Sequence, residues 1–548
     1  MKRTAVLSVK SFLLVFLFTN SVFAQTYRSW QCIPSVIRDN GVEEFFLIVD
    51  PGTEVDRIEL TDQWLSNSVY DGRSWPCLQY PESLTFRDDG TNGDQIAGDN
   101  KFTLGPFKYN AGSLPQKHYN DSVSNPIGIE YNWIGKIKIV ATDQTEHTFL
   151  LQPKIGILSS QVPEIAINQI NSEAQTTTHL LNILEPDYDL QKYQRHLGDL
   201  VALSNSVYTH MPDIADFLVF MSTNKLETNN RLDRANFRGG GFCQVAVEHT
   251  GTAILPFDDR ARFGSQARLL GIITLDTNDR GQVSNNLLHE LLSQYIGYFH
   301  PDLEISDPNH TDDISWRTDI GSLVGGFKWD DIEGTYYMNW DVGRNGAFEA
   351  SLFDLYYMGL SPSIPLIHLL PASGPMPLFR KDQAITDIVR TITINDIIGY
   401  HGERLPKVNS LNLRLVFVVT SQGRLLNSTE MTFYHLLAKH ATQEIPDKPF
   451  ASFNWVPISN FFGEKVMLSS NITSQHVFDY NGDNDIDEND LKYFKHCYSG
   501  PAVPLKTGCE SLDLNNDCSI DQTDFGYFQR CLSGPDVLLN PSCQEPTP

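Results

Sequence analysis

Basic residues are scarce in this sequence. Its 548 residues carry 41 Lys and Arg against 67 Asp and Glu, a net charge of −26 with a pI near 4.9. So acidic a chain repels phosphate backbones and anionic lipid surfaces, which argues against nucleic acid and anionic membranes as partners. Long apolar runs are also lacking. The run Ser11–Phe18 (S-F-L-L-V-F-L-F) is too short to span a bilayer comfortably. It follows Lys2, Arg3 and Lys10 and precedes Val22-Phe23-Ala24, so residues 1–24 read as a secretory signal. The mature chain is expected to be soluble and exported, with no transmembrane segment. Cysteine is sparse: eight in all, five of them (Cys497, Cys509, Cys518, Cys531, Cys543) in the last 52 residues. A twelve-residue spacing recurs from Cys497 to Cys509 and from Cys531 to Cys543. It predicts two local bridges in an exported chain. Cys32 and Cys77 are candidates for a third, which leaves Cys243 and Cys518 over; spacing does not settle connectivity.

The length suits about three or four domains. With 41% hydrophobic and 20% charged residues, the composition is globular. The expected architecture is multidomain: an N-terminal immunoglobulin-like β-sandwich over residues 25–160, a central α+β domain over 165–470 and a small α-helical region over 477–545. Short apolar runs separated by turns, such as Glu44–Val49, Lys136–Ala141 and Thr148–Leu151, give the first part its β character. Within it lies Arg87–Thr103, R-D-D-G-T-N-G-D-Q-I-A-G-D-N-K-F-T. It resembles a segment of immunoglobulin-like modules in exported bacterial proteins. Two readings stand side by side. Asp88, Asp89, Asp94 and Asp99 hold Ca²⁺, or the stretch is an acidic loop that uses Gly90, Gly93 and Gly98 for tight turns.

In the central part, Phe217–Ser222 and Leu269–Leu275 read as buried strands, and Leu411–Thr420 as a third. Asp187–Ser206, Ser351–Leu360 and Thr429–Ala441 have helical spacing. The stretch that decides the chemistry is Asn286–Pro301, N-L-L-H-E-L-L-S-Q-Y-I-G-Y-F-H-P. In H-E-x-x-H, two His four apart on one helix face hold Zn²⁺, and the Glu polarises the attacking water. Here His289 is the candidate zinc ligand and Glu290 the candidate catalytic carboxylate. Ser293 stands at the fourth position, where a hydroxyl is a poor ligand beside an imidazole.

The motif order L-L-H-E-L-L, Ile314-Ser315-Trp316, Ser322–Gly326 and F-D-L-Y-Y-M-G-L-S-P resembles a group of exported bacterial zincin-like metallopeptidases. The resemblance covers roughly Tyr208–Ala441. It implies a zincin-like fold in which Ser293 and Ser315 replace two expected His, so that the metal site is lost as a unit. His300, eleven positions after His289, would share its helix face about 16 Å further along. His310, with Asp312 and Asp313, is another candidate ligand. Zn²⁺ is therefore a doubtful cofactor.

The tail carries the more specific pattern. Asp479–Pro501 and Asp513–Pro535 repeat at a spacing of 34 residues, and each opens with a twelve-residue loop. Oxygen ligands fall at EF-hand positions: Asp479, Asn481, Asp483, Asp485, Asp487 and Asp490 in the first, Asp513, Asn515, Asp517, Ser519, Asp521 and Asp524 in the second. Asp485 and Ser519 would offer their backbone carbonyls. Ile486 and Ile520 are expected to pair the two loops through a short β contact. Asn484 and Cys518 stand where Gly is usual, and Asp490 and Asp524 where Glu is. With one helix after each loop, the region resembles type I dockerin repeats. The resemblance implies two structural Ca²⁺ ions. It also implies a cohesin-type or cell-surface partner met through Glu488-Asn489 and Gln522-Thr523. Ser469–His476 reads as a linker.

Three functions follow in order. The first is an exported calcium-binding protein whose zincin-like domain serves binding or assembly without catalysis. The second is a metallopeptidase with unusual ligands acting on protein. The third is a dockerin-bearing polysaccharide-degrading hydrolase or accessory acting on glycan.

Overall fold

The computed structural model describes residues 27–534, with breaks at 65–77, 112–127, 186–196, 229–239, 276–282, 307–313, 344–349, 372–383, 443–449, 452–461, 473–477 and 479–485 and at a few single or paired positions. The chain is β-rich with few helices.

Strand Glu44–Asp50 alternates buried and exposed positions, placing Phe45, Leu47 and Val49 inward. It lies in a five-stranded sheet ordered Asn224–Thr228, Tyr27–Ile33, Glu44–Asp50, Phe102–Tyr109, Leu78–Gln79. Ile58, Ile137 and Ile139 of a second sheet (Val55–Trp64, Ile134–Ala141, Glu146–Leu151) share its core, with Trp30, Leu104 and Phe107. Backbone pairing runs across the boundary expected near 160–165. Tyr27 pairs with Thr228, and Phe450 pairs with Gly128.

Among the described residues the helices are α1 (Leu197–His210), α2 (Val283–Leu292), α3 (Leu352–Tyr357), α4 (Ile394–His401), α5 (Ser428–Thr442), α6 (Glu488–Cys497) and α7 (Gln522–Cys531). The central sheet has strands Leu180–Leu184, Leu411–Ser421, Phe217–Ser222 and Gly271–Leu275 in parallel, and Gly240–Gln244 antiparallel at the edge. The edge strand opens on Gly240 and Gly241. All six residues of Phe217–Ser222 are buried, as an apolar strand covered on both faces requires. Phe217, Val219 and Met221 face a core that takes in Leu287, Leu291, Phe353 and Phe433; Leu218 and Phe220 face one with Leu200, Leu203 and Val207.

The tail is small and apolar inside. Phe478, Ile486, Phe494, Ile520 and Phe528 cluster between α6 and α7, and the predicted Cys497–Cys509 bridge is present. Cys531 is also disulfide-bonded. Cys543, its expected partner, and Cys77 lie outside the described residues. Ser470 is buried and the Ile472 N–H donates to Thr178, so the stretch read as a linker begins as packed chain. Among the described residues no helix is long and apolar enough to cross a membrane.

Candidate metal centres

Helix α2 follows the Gly271–Leu275 strand and buries Leu287, Leu288, Leu291 and Leu292, leaving His289 and Glu290 half-buried. It stops at Leu292. The Ser293 N–H donates to the His289 and Glu290 carbonyls, both at 3.2 Å, and its hydroxyl donates to the His289 carbonyl at 3.1 Å. A hydroxyl bonded back to the preceding turn is spent on main chain. Gln294 then donates through Nε2 to Ala246, and Gln244 to the Ser293 and Gln294 carbonyls, which turns the chain out of helical register.

The face shared by His289 and His300 is therefore not formed, because the helix does not reach His300. That residue is exposed and stacks on Tyr400 with ring centroids 4.3 Å apart; its N–H donates to His401 Nε2. Ser315 is fully buried, its hydroxyl accepting from the Arg317 N–H. His310, Asp312 and Asp313 lie outside the described residues.

In the tail, Asp479, Asn481, Asp483 and Asp485 lie outside the described residues, while the second loop is described at all six ligand positions. The loops close alike. Asp487 caps α6 with φ −130° and ψ −156°, and Asp521 caps α7 with φ −132° and ψ −157°. Each accepts the N–H two residues on, at 2.7 Å. Asp490 and Asp524, fully buried, accept the N–H groups of those capping residues. Asp513 accepts from the Asp517 and Cys518 N–H groups. Hydrogen bonds from Ser519 and Asn515 hold the Asp517 carboxyl below its usual range. Cys518 takes φ +63°, the left-handed position that favours Gly. The donors are all oxygens, the hard set that suits Ca²⁺ rather than Zn²⁺.

The expected contact between Ile486 and Ile520 is replaced by an exchange. Ile486 accepts from the Ser533 and Gly534 N–H groups and donates to Ser533 Oγ. Ile520 does the same with Ser499 and Gly500. The Ser-Gly after each helix thus satisfies the other repeat's loop.

In the N-terminal part, both readings of the acidic loop find a physical basis. Gly90, Gly93 and Gly98 all take positive φ. Asp88, Asp94 and Asp99 bring carboxylate oxygens within 4.8 Å of one another, the one such group of three among the described residues. Asp88 accepts from the Gly98, Asp99 and Asn100 N–H groups. Asp89 turns away to Thr91 and Arg87.

Sequence reasoning passed over several buried polar groups. Asp354 accepts from Ser322 and Ser351, and burial pushes its carboxyl up to about 6. His368 pairs with Asp319 at 2.7 Å. His179 and His435 lie 5.0 Å apart, bonded to Ser470 and Thr177. The Ser351–Asp354 pair is a capping box whose spacing alone signals it; the others join residues far apart in sequence. No family model matches the chain, and neither a curated protein nor a solved structure is significantly similar to it.

Proposed function

We propose that this is an exported calcium-binding multidomain protein with a dockerin-type tail, in which a zincin-like central domain serves binding or assembly rather than catalysis. One observation carries the calcium reading. Two loop-and-helix repeats close with the same capping geometry at Asp487 and Asp521, over oxygen donors at the same spacing. Bound calcium would draw those oxygens into one shell and so stabilise a region with little core. Glu488, Asn489, Gln522 and Thr523 are exposed at the helix starts, where a cohesin-type or cell-surface partner would meet them.

The zincin-like reading draws support from the order of elements: a parallel strand, then the helix with His289 and Glu290, beside an antiparallel edge strand. The non-catalytic reading draws support from Ser293, whose hydroxyl bonds to the His289 carbonyl. Metal content of the purified mature protein tests both. About two Ca²⁺ and no Zn²⁺ are expected, with about one Ca²⁺ lost in Asp524→Ala. A tightly held Zn²⁺ that disappears in His289→Ala would overturn the non-catalytic reading and point to a peptidase.

A further inference from the structure

The first tail repeat is docked on the central sheet. Asn412 Nδ2 donates to the Tyr493 hydroxyl at 2.8 Å, and Ser410 Oγ lies 2.6 Å from His496 Nε2. Met467, which pairs with Asn412 across two parallel strands, packs against the tail core. Asn412 belongs to Leu411–Ser421, the strand held between Leu180–Leu184 and Phe217–Ser222. The contact falls at the start of that strand, over 411–414, where it pairs with Val466–Ser469, ahead of the stretch flanked on both sides.

Asp490, Tyr493 and His496 follow one another at three-residue intervals, along one side of α6. Asp487 and Asp490 fix the first turn of that helix by their capping box. They are also two of the expected loop ligands. The second repeat has the same helix, and among the described residues no counterpart of Tyr493 or His496 in it is bonded to the central sheet. Its counterparts 34 positions on, Tyr527 and Arg530, face each other, the guanidinium 4.4 Å from the ring centroid, with Arg530 exposed.

We infer that calcium in the tail is sensed by the central sheet: filling the loops fixes the start of α6 and so clamps Tyr493 and His496 onto Asn412 and Ser410. This rests on the calcium reading above. Both loops contribute, because Ser533 and Gly534 hold Ile486 immediately before the α6 cap.

Hydrogen exchange of the full mature chain, with and without CaCl₂, tests it beside a calorimetric count of bound calcium. In the wild type, calcium should slow exchange at 411–414 and 466–469 about fivefold. In Tyr493→Phe with His496→Ala, the calcium count and the protection of α6 and α7 should stay, while 411–414 and 466–469 cease to respond. Tyr527→Phe with Arg530→Ala should leave the response intact. Calcium binding with no response of those strands in the wild type, or a response that persists in the docking variant, overturns the inference but spares the calcium reading. Absence of calcium binding overturns both.

Discussion

Glu430 accepts two hydrogen bonds from Ser35, from the backbone N–H at 2.7 Å and from the hydroxyl at 2.9 Å, across 395 residues of sequence. Arg424 pairs with the same carboxylate at 2.7 Å, and Asn427 donates to it as well. Glu430 is 1% exposed. A buried carboxylate persists only when such donors surround it. Here they join the first strands of the chain to α5.

Glu430→Gln keeps the shape and removes the charge. Hydrogen bonds to charged groups contribute roughly 1.5–3 kcal/mol, so the variant should lose about 2 kcal/mol of stability. The urea unfolding midpoint reads this. An unchanged midpoint would sink the claim that Glu430 fastens the N-terminal strands.

Asp354 gives a pH signature. Burial raises its carboxyl from 3.8 to about 6, with Ser322 and Ser351 pulling the other way. The folded state therefore binds more protons than the unfolded one between those values, and stability falls as pH rises through them. Two units correspond to on the order of 3 kcal/mol. Asp354→Asn lacks this dependence. The stability of wild type relative to the variant should drop by that order between about pH 4 and pH 7. A constant difference would refute the raised value.

His435 works in the opposite sense. Burial, with Lys439 adding to it, lowers its imidazole from 6.5 to about 4. His179 faces it 5.0 Å away and Thr177 bonds to Nδ1. A depressed folded value means stability that is present above 6.5 and lost as pH falls towards 4. His435→Gln should lose less stability than wild type over that interval in acid titrations of unfolding. Equal losses would assign the acid sensitivity elsewhere.

Cys518 sits at φ +63° where Gly has no penalty. Cys518→Gly should stabilise the calcium-free tail by about 1 kcal/mol, read from its thermal transition. The variant should also lose the alkylation by iodoacetamide expected of the exposed thiol. A lower transition would mean that the thiol contributes packing.

Much of this was readable from the chain and some was not, for reasons tied to particular residues. Phe217–Ser222 is legible to the residue, because a continuous apolar run fits a strand covered on both faces. The helix around His289 is legible too, although it begins at Val283, before the stretch read from sequence, and its end is not legible. Tyr295 and Ile296 continue an apolar pattern past Leu292, while Gln244 and Ala246, some fifty residues earlier, take the chain out of the helix. The same limit explains Ile486 and Ile520. Local spacing places them correctly at the loop ends, yet their partners are Ser533 and Ser499, one helix further along. Asp354 has its capping partner three residues away, but what makes its carboxyl unusual is Ser322, which no local pattern reveals.

The pairing of Tyr27–Ile33 with Asn224–Thr228 also sets a schedule. Synthesis proceeds at about 5–20 residues per second, so the roughly 200 residues between these strands separate their appearance by about 10–40 seconds. For that interval the earlier strand has a row of unpaired N–H and C=O groups, a template on which another unfinished chain can pair. Until residues 224–228 are available, pairing of that open edge with another unfinished chain is the expected competing reaction. Shielding residues 27–33 until residue 228 is present is then expected to raise the yield of folded chain without changing its final stability.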